Sequence, residues 1–427
     1  MATPSPAKFS TARERERERA IVVGGGTMAA AEAAERRDIV IVGGGICGLA
    51  TALALHRKGI SSLVLERSDA LRATGMAIGI QTNGWRALDQ LGVGLKLRQT
   101  SLPLKGFRDV SISNTTLKEV PVGLGEARCL RRSVLLEALA GDLPSETIRF
   151  GSQLLAIEMD PRTSYPILRL HDGSVIKAKV VIGCDGVNSE VADFLDLRPP
   201  RSSPTCNVRG FTVYPDGHGY PNDFVMISYN RVFLGRIPLD EKSVYWFIAR
   251  PWTHQDSAIS KNSDLIKRST VESMAGFPAE ILEMIENSKP DSLSLTGTRY
   301  RAPWDVLFGS FRKGTVTVAG DAMHAMGPFL GQGGSAALED TIVLARCLAP
   351  HMTSLDHGEL SKERIGGALD SYISERRMRL VRLSTKTYTI GSLLESTSLV
   401  VKLICILVII SFFRDRLGHT RYDCGRL

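Results

Sequence analysis

Paired cysteines are missing from this chain. Its seven cysteines, Cys47, Cys129, Cys184, Cys206, Cys347, Cys405 and Cys424, are scattered, odd in number and never spaced C-x-x-C. That excludes a disulfide framework or zinc module and points to reduced intracellular thiols. Aromatic residues make up only 6%. No dense basic block is interleaved with them, so the chain does not read as a nucleic-acid binder. Charge of one sign is not in large excess: 53 Lys and Arg against 45 Asp and Glu give a net charge of +8 over 427 residues. That balance suits an anionic cofactor or substrate, or an acidic membrane surface. A secretory signal is lacking. The longest apolar run, "LVVKLICILVIISFF" from Leu399 to Phe413, falls short of the roughly 20 residues that span a bilayer and is broken by Lys402. It reads as a buried helix or strand, or as an interfacial anchor with Arg414 and Arg416 at the headgroups. What remains, 43% apolar and 23% charged residues, describes a globular chain long enough for two domains.

A strand-like run ending in three glycines occurs twice, at Ile21–Gly26 and at Ile39–Gly45. A dinucleotide-binding unit needs a buried strand, G-x-G-x-x-G, a helix, and a second strand ending in an acid about 20 residues on. The first copy puts Ala29 where the third glycine belongs and runs straight into the next strand. The second copy has every part: the strand "DIVIV" from Asp38, then Gly43, Gly45 and Gly48, the small-residue helix "LATALALHRKG", and "SSLVLE" ending in Glu66. The second copy is therefore expected to function. Its Glu66 carboxylate favours a free ribose 2′-hydroxyl, as in NAD or the adenosine half of FAD. The Arg–Glu alternation "RERERERA" upstream has no apolar face to bury, so residues 1–37 read as a disordered leader. Met28 is the expected natural start, with 1–27 a translated leader and an organelle-targeting segment the rival.

Far downstream, "TVTVAGDAMHAMGPFLGQGGSAALED" ends a strand on Gly320 and Asp321 and then makes the turn "GQGG" before a helix. An acid at a strand end can hold a sugar-like hydroxyl, and a glycine turn at a helix start presents free N–H groups. Two such sites suggest a long cofactor held at both ends.

These motifs resemble the single-component FAD-dependent aromatic hydroxylases, above all the plant monooxygenases related to zeaxanthin epoxidase, salicylate hydroxylase and urate hydroxylase. The likeness covers about Asp38 to Arg379, through "GGGICG" with Glu66, "GCDGVNS" (Gly183–Ser189) and "GDAMHAMGPFLGQGG" (Gly320–Gly334), with smaller matches at Gly79–Gly92 and Arg132–Leu139. The resemblance implies an α/β, Rossmann-like, discontinuous FAD-binding domain of glutathione-reductase type, an antiparallel substrate sheet and a C-terminal helical segment. It puts the first FAD part at 38–204, lending strands near 105–122 to the sheet, the substrate domain at 205–300, the second FAD part at 301–350 and the helical tail at 351–427. It implies that Glu66, with Arg67 beside it, holds the adenosine ribose, Arg132 contacts the cofactor near its phosphates, and Asp185 lies near FAD and the NAD(P)H path. Asp321 would bind the ribitol, and Gly331, Gln332, Gly333, Gly334 and Ser335 would face the flavin N1–C2=O edge. Pro328 and Phe329 would lie by the ring. The implied reaction takes NAD(P)H and O2 and hydroxylates or epoxidises a small organic substrate through a flavin C4a-hydroperoxide, with no protein nucleophile and no metal. A second nicotinamide-binding unit is not visible, which suits that family.

Two departures stand out. Ala192 replaces the arginine that usually follows the D-G motif. Phe329 replaces the Asp of urate hydroxylases, which disfavours a polar purine and favours an apolar or aromatic substrate. Among the remaining candidates, His324 and Cys47 read as packing residues, and Glu339 and Asp340 as helix-surface or capping groups. Arg209, Tyr214, Tyr229 and Arg231 are left between substrate wall and solvent. The helix "GALDSYISERRMRLVRLS" reads as an amphipathic cover through Leu369, Tyr372, Ile373, Met378 and Leu380. The alternatives are an FAD-linked reductase of isoprenoid-type chains and a non-catalytic flavin-binding protein. The expected location is cytoplasmic or plastid, with peripheral membrane contact through 399–416.

Overall fold

The apolar run before Gly43 forms strand β1 (Glu35–Val42), which starts three residues ahead of the expected Asp38. The computed structural model describes residues 34–71, 77–112, 116–121 (backbone), 125–352, 362–415 and 417–427. The first glycine triplet, the Arg–Glu run and Arg416 lie outside the described residues.

β1 is at the centre of a mainly parallel sheet. On one side it pairs with β2 (Leu63–Leu65), which pairs in turn with β7 (Ile148–Arg149). On the other it pairs with β10 (Val175–Gly183), followed by β17 (Val316–Val318) and β16 (Arg312–Lys313). The antiparallel pair β8 (Leu154–Met159) and β9 (Pro166–Leu170) extends from β10. One sheet thus gathers three distant stretches of chain, and the strand order reverses direction at β1. That reversal opens a crevice beyond the carboxyl ends of the strands.

Helix α1 (Ile46–Arg57) is buried from Ile46 to Leu55, as a helix apolar on all sides must be. Its alanines let the later helix α4 (Gly333–Met352) pack closely against it, together with α3 (Arg132–Ala140); α2 (Thr82–Gln90) packs on α4.

The second sheet runs β15 (Ser294–Tyr300), β11 (Arg201–Val213), β14 (Ser243–Pro251), β13 (Val232–Pro238), β12 (Asp223–Tyr229), β4 (Gly106–Ser111) and β5 (Thr116–Pro121). It is antiparallel except where β4 pairs in parallel with β12. Its core centres on Trp246, Leu234 and Ile248 beneath the helices Ser263–Ser273 and Ala279–Glu286. A small ladder of β3 (Ala77–Gln81) and β6 (Ala127–Arg131) contacts α2, α3 and α4.

The chain ends in the long α5 (Lys362–Glu395), then α6 (Leu399–Phe412), then a tail that returns to the body. Arginines hold the tail by its carbonyls: Arg379 donates to His419 O (2.6 Å), Arg86 to Arg421 O (2.7 Å) and Arg346 to Cys424 O (2.7 Å). Helix α6 is not buried, contrary to one reading of its apolar sequence. It leans on α5 through Cys405 and exposes most of its large side chains.

Candidate active site

The strand register sets four chain turns on one line. Val42 pairs with Gly183 and with Leu65, and Gly183 with Val318. The next residues, Gly43, Glu66, Cys184–Asp185 and Gly320–Asp321, therefore meet at one sheet edge.

At that edge the glycines are required by space. Gly43 has φ +104°, and a Cβ there would lie 2.6 Å from Cys184 O. A Cβ on Gly48 would lie 1.9 Å from Gly43 O. Gly45 stands before α1 with the Arg132 guanidinium across the turn, 3.8 Å from where its Cβ would sit. Glu66 is buried. Its Oε2 accepts from Gly44 N (2.7 Å) and its Oε1 from Ser68 N (2.9 Å), so the carboxylate also braces the glycine turn. Arg67 points into solvent.

Across the cleft, Gly320 (φ +62°) turns the chain so that Asp321 opens a short helix with its side chain exposed. Asp321 Oδ1 faces the second glycine turn, 3.9 Å from where a Cβ of Gly333 would sit. That turn is fixed from below by amides. Gln332, buried, donates to Gln81 Oε1 (2.6 Å) and accepts from Asn83 Nδ2 (2.8 Å), and Gln81 donates to Leu330 O (2.9 Å). Gly331 takes the left-handed conformation (φ +60°), and Gly334 packs on Ile78. Ser335 is buried beside Gly84. The start of α4 thereby turns its N–H end to the cleft. Gln81 and Asn83 lie within "GIQTNGW"; nothing in their spacing marks them as the frame of this turn.

Glu339 and Asp340 are not surface or capping groups. Both are fully buried about two turns into α4, because α5 brings cations onto them. Asp340 Oδ2 accepts from Gly320 N (3.0 Å) and from His324 Nε2 (2.6 Å), and its Oδ1 accepts from Arg376 Nε (2.7 Å). Arg376 also bridges to Glu339 Oε2 (2.7 Å), which Arg379 joins at Oε1 (2.9 Å). Burial works against ionisation of Asp340, yet the charges of His324 and Arg376 outweigh it and hold the carboxyl below its usual range. As an acceptor-only carboxylate, Asp340 requires the proton on His324 Nε2. Met378, expected to face inward, is exposed, and Arg376 takes the buried place instead.

Asp185 follows β10. Its Oδ2 accepts from Glu190 N (2.8 Å), whereas its Oδ1 is buried without a partner, and burial raises the carboxyl to about 6. Cys47 is closed off, its thiol pushed well above the ordinary value by a hydrogen bond with Cys184 and by burial. Ala192 is buried in the core.

The cleft thus has a glycine cradle at one end and a helix start with an exposed carboxylate at the other. The unpartnered Asp185 oxygen lies between, a donor set that fits an adenine dinucleotide carrying a flavin. The family described as "FAD binding domain" matches residues 36–387. "Monooxygenase 1" of Arabidopsis thaliana is 49% identical over 388 residues, covering 90% of this chain and 97% of that one. The chain belongs to the FAD-dependent monooxygenases. "Monooxygenase 2" of the same plant is 38% identical over 403 residues, covering 90% and 96%. Among solved structures, Klebsiella pneumoniae HpxO complexed with FAD and uric acid shares the fold, with a TM-score of 0.74 at 20% identity, over 90% of this chain and 96% of that one.

In this monooxygenase two cavities flank Phe329. One is lined by Tyr300, Met326, Gly327, Thr387 and Tyr388, the other by Arg231, Phe233, Pro328 and Leu394. The Phe329 ring packs on Gly327 and on Gly391 of α5, so it walls both cavities. Of the four sheet residues left open by sequence, Arg231 alone lines either cavity. Arg209 bonds Thr296, Tyr214 packs on Tyr220, and Tyr229 on Phe277. Among the described residues no cluster of metal-ligating side chains occurs.

Proposed function

We propose that this monooxygenase uses NAD(P)H and O2 to hydroxylate or epoxidise a small, neutral, apolar or aromatic molecule. The observation that carries the substrate class is the state of the charged residues lining the cavities beside Phe329. Glu395 is occupied by Ser203 (2.6 Å) and Thr205 (3.0 Å). Arg231 gives one N–H to Glu395 O (2.7 Å), and Arg301 donates to Ala322 O (3.2 Å) and Arg198 O. An anionic substrate would meet the Glu395 carboxylate, which lines both cavities, whereas a neutral one needs only the apolar walls.

Gly43, Gly45 and Gly48 would admit the pyrophosphate, with Arg132 as its cation and Glu66 beside the ribose. Asp321 would take a ribityl hydroxyl. The N–H groups of Gly331–Ser335 would favour negative charge on the isoalloxazine edge. When bound, FAD accepts reducing equivalents from NAD(P)H and activates O2; the chain binds, orients and excludes water around it. Asp185, with its spare oxygen, would sit between cofactor and nicotinamide. Pro328 and Phe329 would hold the substrate side dry. The β4–β15 sheet would form the outer wall. Anaerobic stopped flow with a panel of small molecules tests this: neutral aromatic or apolar compounds should accelerate FAD reduction by NAD(P)H. Acceleration only by carboxylates would reverse the assigned substrate class.

A further inference from the structure

Helix α6 is apolar on the side turned away from the protein. Leu399, at 76% exposure, Val400, Leu403, Ile404, Leu407, at 64%, and Ile410 all face outward, while Cys405 is buried against α5 and Lys402 is half-buried on the flank of the apolar face. At 100° per residue these six side chains fill an arc of about 140°, with Ser411 the polar residue within it. A surface helix in water shows the opposite arrangement. The helix is not a loose tail: α5 leads into it, and beyond it the tail is pinned by Arg86, Arg346 and Arg379.

We propose that α6 is an interfacial membrane anchor that lies in the headgroup region of an anionic bilayer. Its 14 residues extend only about 21 Å, against the roughly 30 Å of a hydrocarbon core. No helix of the described residues is long and apolar enough to cross a membrane, so α6 lies along the surface. Charge complementarity selects the lipid. Between Ser396 and Arg414 the charged residues are Lys402 and Arg414, both cationic, on a chain of net charge +8. The anchor also starts beside the proposed substrate cavities. Glu395, which lines both, is four residues from Leu399, a reach of at most about 14 Å. An apolar compound dissolved in the lipid would then enter without crossing water.

The test is flotation of the full-length, FAD-loaded protein with phosphatidylcholine vesicles, with and without phosphatidylglycerol. The parent should float with the anionic vesicles, and added salt should weaken the association. The double variant Leu403→Glu, Leu407→Glu should lose at least about tenfold in partitioning while keeping its bound FAD and melting temperature, since both positions face solvent. Lys402→Ala with Arg414→Ala should lose binding to anionic vesicles selectively. The proposal fails if the parent stays at the bottom of the gradient with both vesicle types, or if the double variant floats as well as the parent. It also fails if sedimentation shows a parent dimer that the double variant dissolves, because a second copy would then cover the helix. Binding is measured without turnover, so the outcome stands apart from the proposed chemistry.

Discussion

Replacing Asp340 with Ala should damage the protein more than replacing Asp321, although Asp321 is the residue proposed to touch the cofactor. The Asp321 side chain is exposed and makes no hydrogen bond among the described residues. Its loss would remove the proposed charge-assisted hydrogen bond to a ribityl hydroxyl, roughly 1.5–3 kcal/mol, so FAD should bind about tenfold to hundredfold more weakly with apoprotein stability unchanged. Asp340 receives three donors at zero exposure. Removing it leaves Arg376 with the Glu339 carboxylate and the Ala336 carbonyl, and the Gly320 N–H buried without an acceptor. Breaking a buried pair of this kind costs about 3–5 kcal/mol, and the Gly320 turn that aims Asp321 loses its tie. The apoprotein of Asp340→Ala should therefore unfold at clearly lower denaturant, and it should retain FAD no better than Asp321→Ala. Asp340→Asn, which keeps an acceptor for Gly320, should fall between parent and Ala. Because the folded carboxyl lies below its usual value, this stabilisation is present above the unfolded value and is lost as pH falls through the folded one. That acid limb should be shallower in Asp340→Ala than in the parent, whose Glu126 and Asp256, also held below the usual range, it shares. Denaturant titration of the apoproteins and FAD titration by fluorescence quenching decide the matter. An Asp340→Ala protein as stable as the parent would refute the reasoning.

Three further outcomes are expected. Gly48→Ala should abolish FAD retention, since its Cβ would stand 1.9 Å from Gly43 O, whereas Gly79→Ala, with nothing within 4 Å, should retain it; flavin absorbance after gel filtration compares them. Asp185 has a folded value of about 6 against 3.8, so its protonated form adds stability that is full below the unfolded value and is lost as pH rises through 6. Asp185→Asn apoprotein should thus gain on the parent above pH 6 by at most about 3 kcal/mol and match it below pH 4, in denaturant melts across that range. Tyr422 lies under Arg379 (4.5 Å) and Arg376 (5.5 Å). Tyr422→Ala should cost about 1–3 kcal/mol of stability and Tyr422→Phe less, as read by thermal unfolding.

The parts legible in sequence are those whose partners are close in sequence or carry their own spacing. Gly43–Gly48 with Glu66, and Gly320–Asp321 with "GQGG", announce strand ends followed by helix starts, and the alternating strands after Arg201 announce a sheet. The buried ion network is different in kind. Asp340 meets His324 and Arg376, 16 and 36 residues away, and nothing local tells a buried carboxylate from a surface one. A signal did exist in α5. Leu369, Tyr372, Ile373, Leu380 and Leu383 form a stripe at helical spacing, and Arg376 stands on it. A cation on an apolar stripe asks for a buried acid. The parallel β4–β12 pair was hidden because its strands lie more than 100 residues apart. Helix α6 misled for the reverse reason: an apolar run reads as buried, but whether anything covers it depends on the rest of the fold.

Mass spectrometry of the product formed under ¹⁸O₂ with NAD(P)H tests the central claim most directly, once stopped flow has identified a compound that accelerates flavin reduction. The account predicts a product heavier by one ¹⁸O atom, formed with consumption of NAD(P)H. A reduced product free of the label, formed equally well without oxygen, would contradict it and assign the cleft to a reductase.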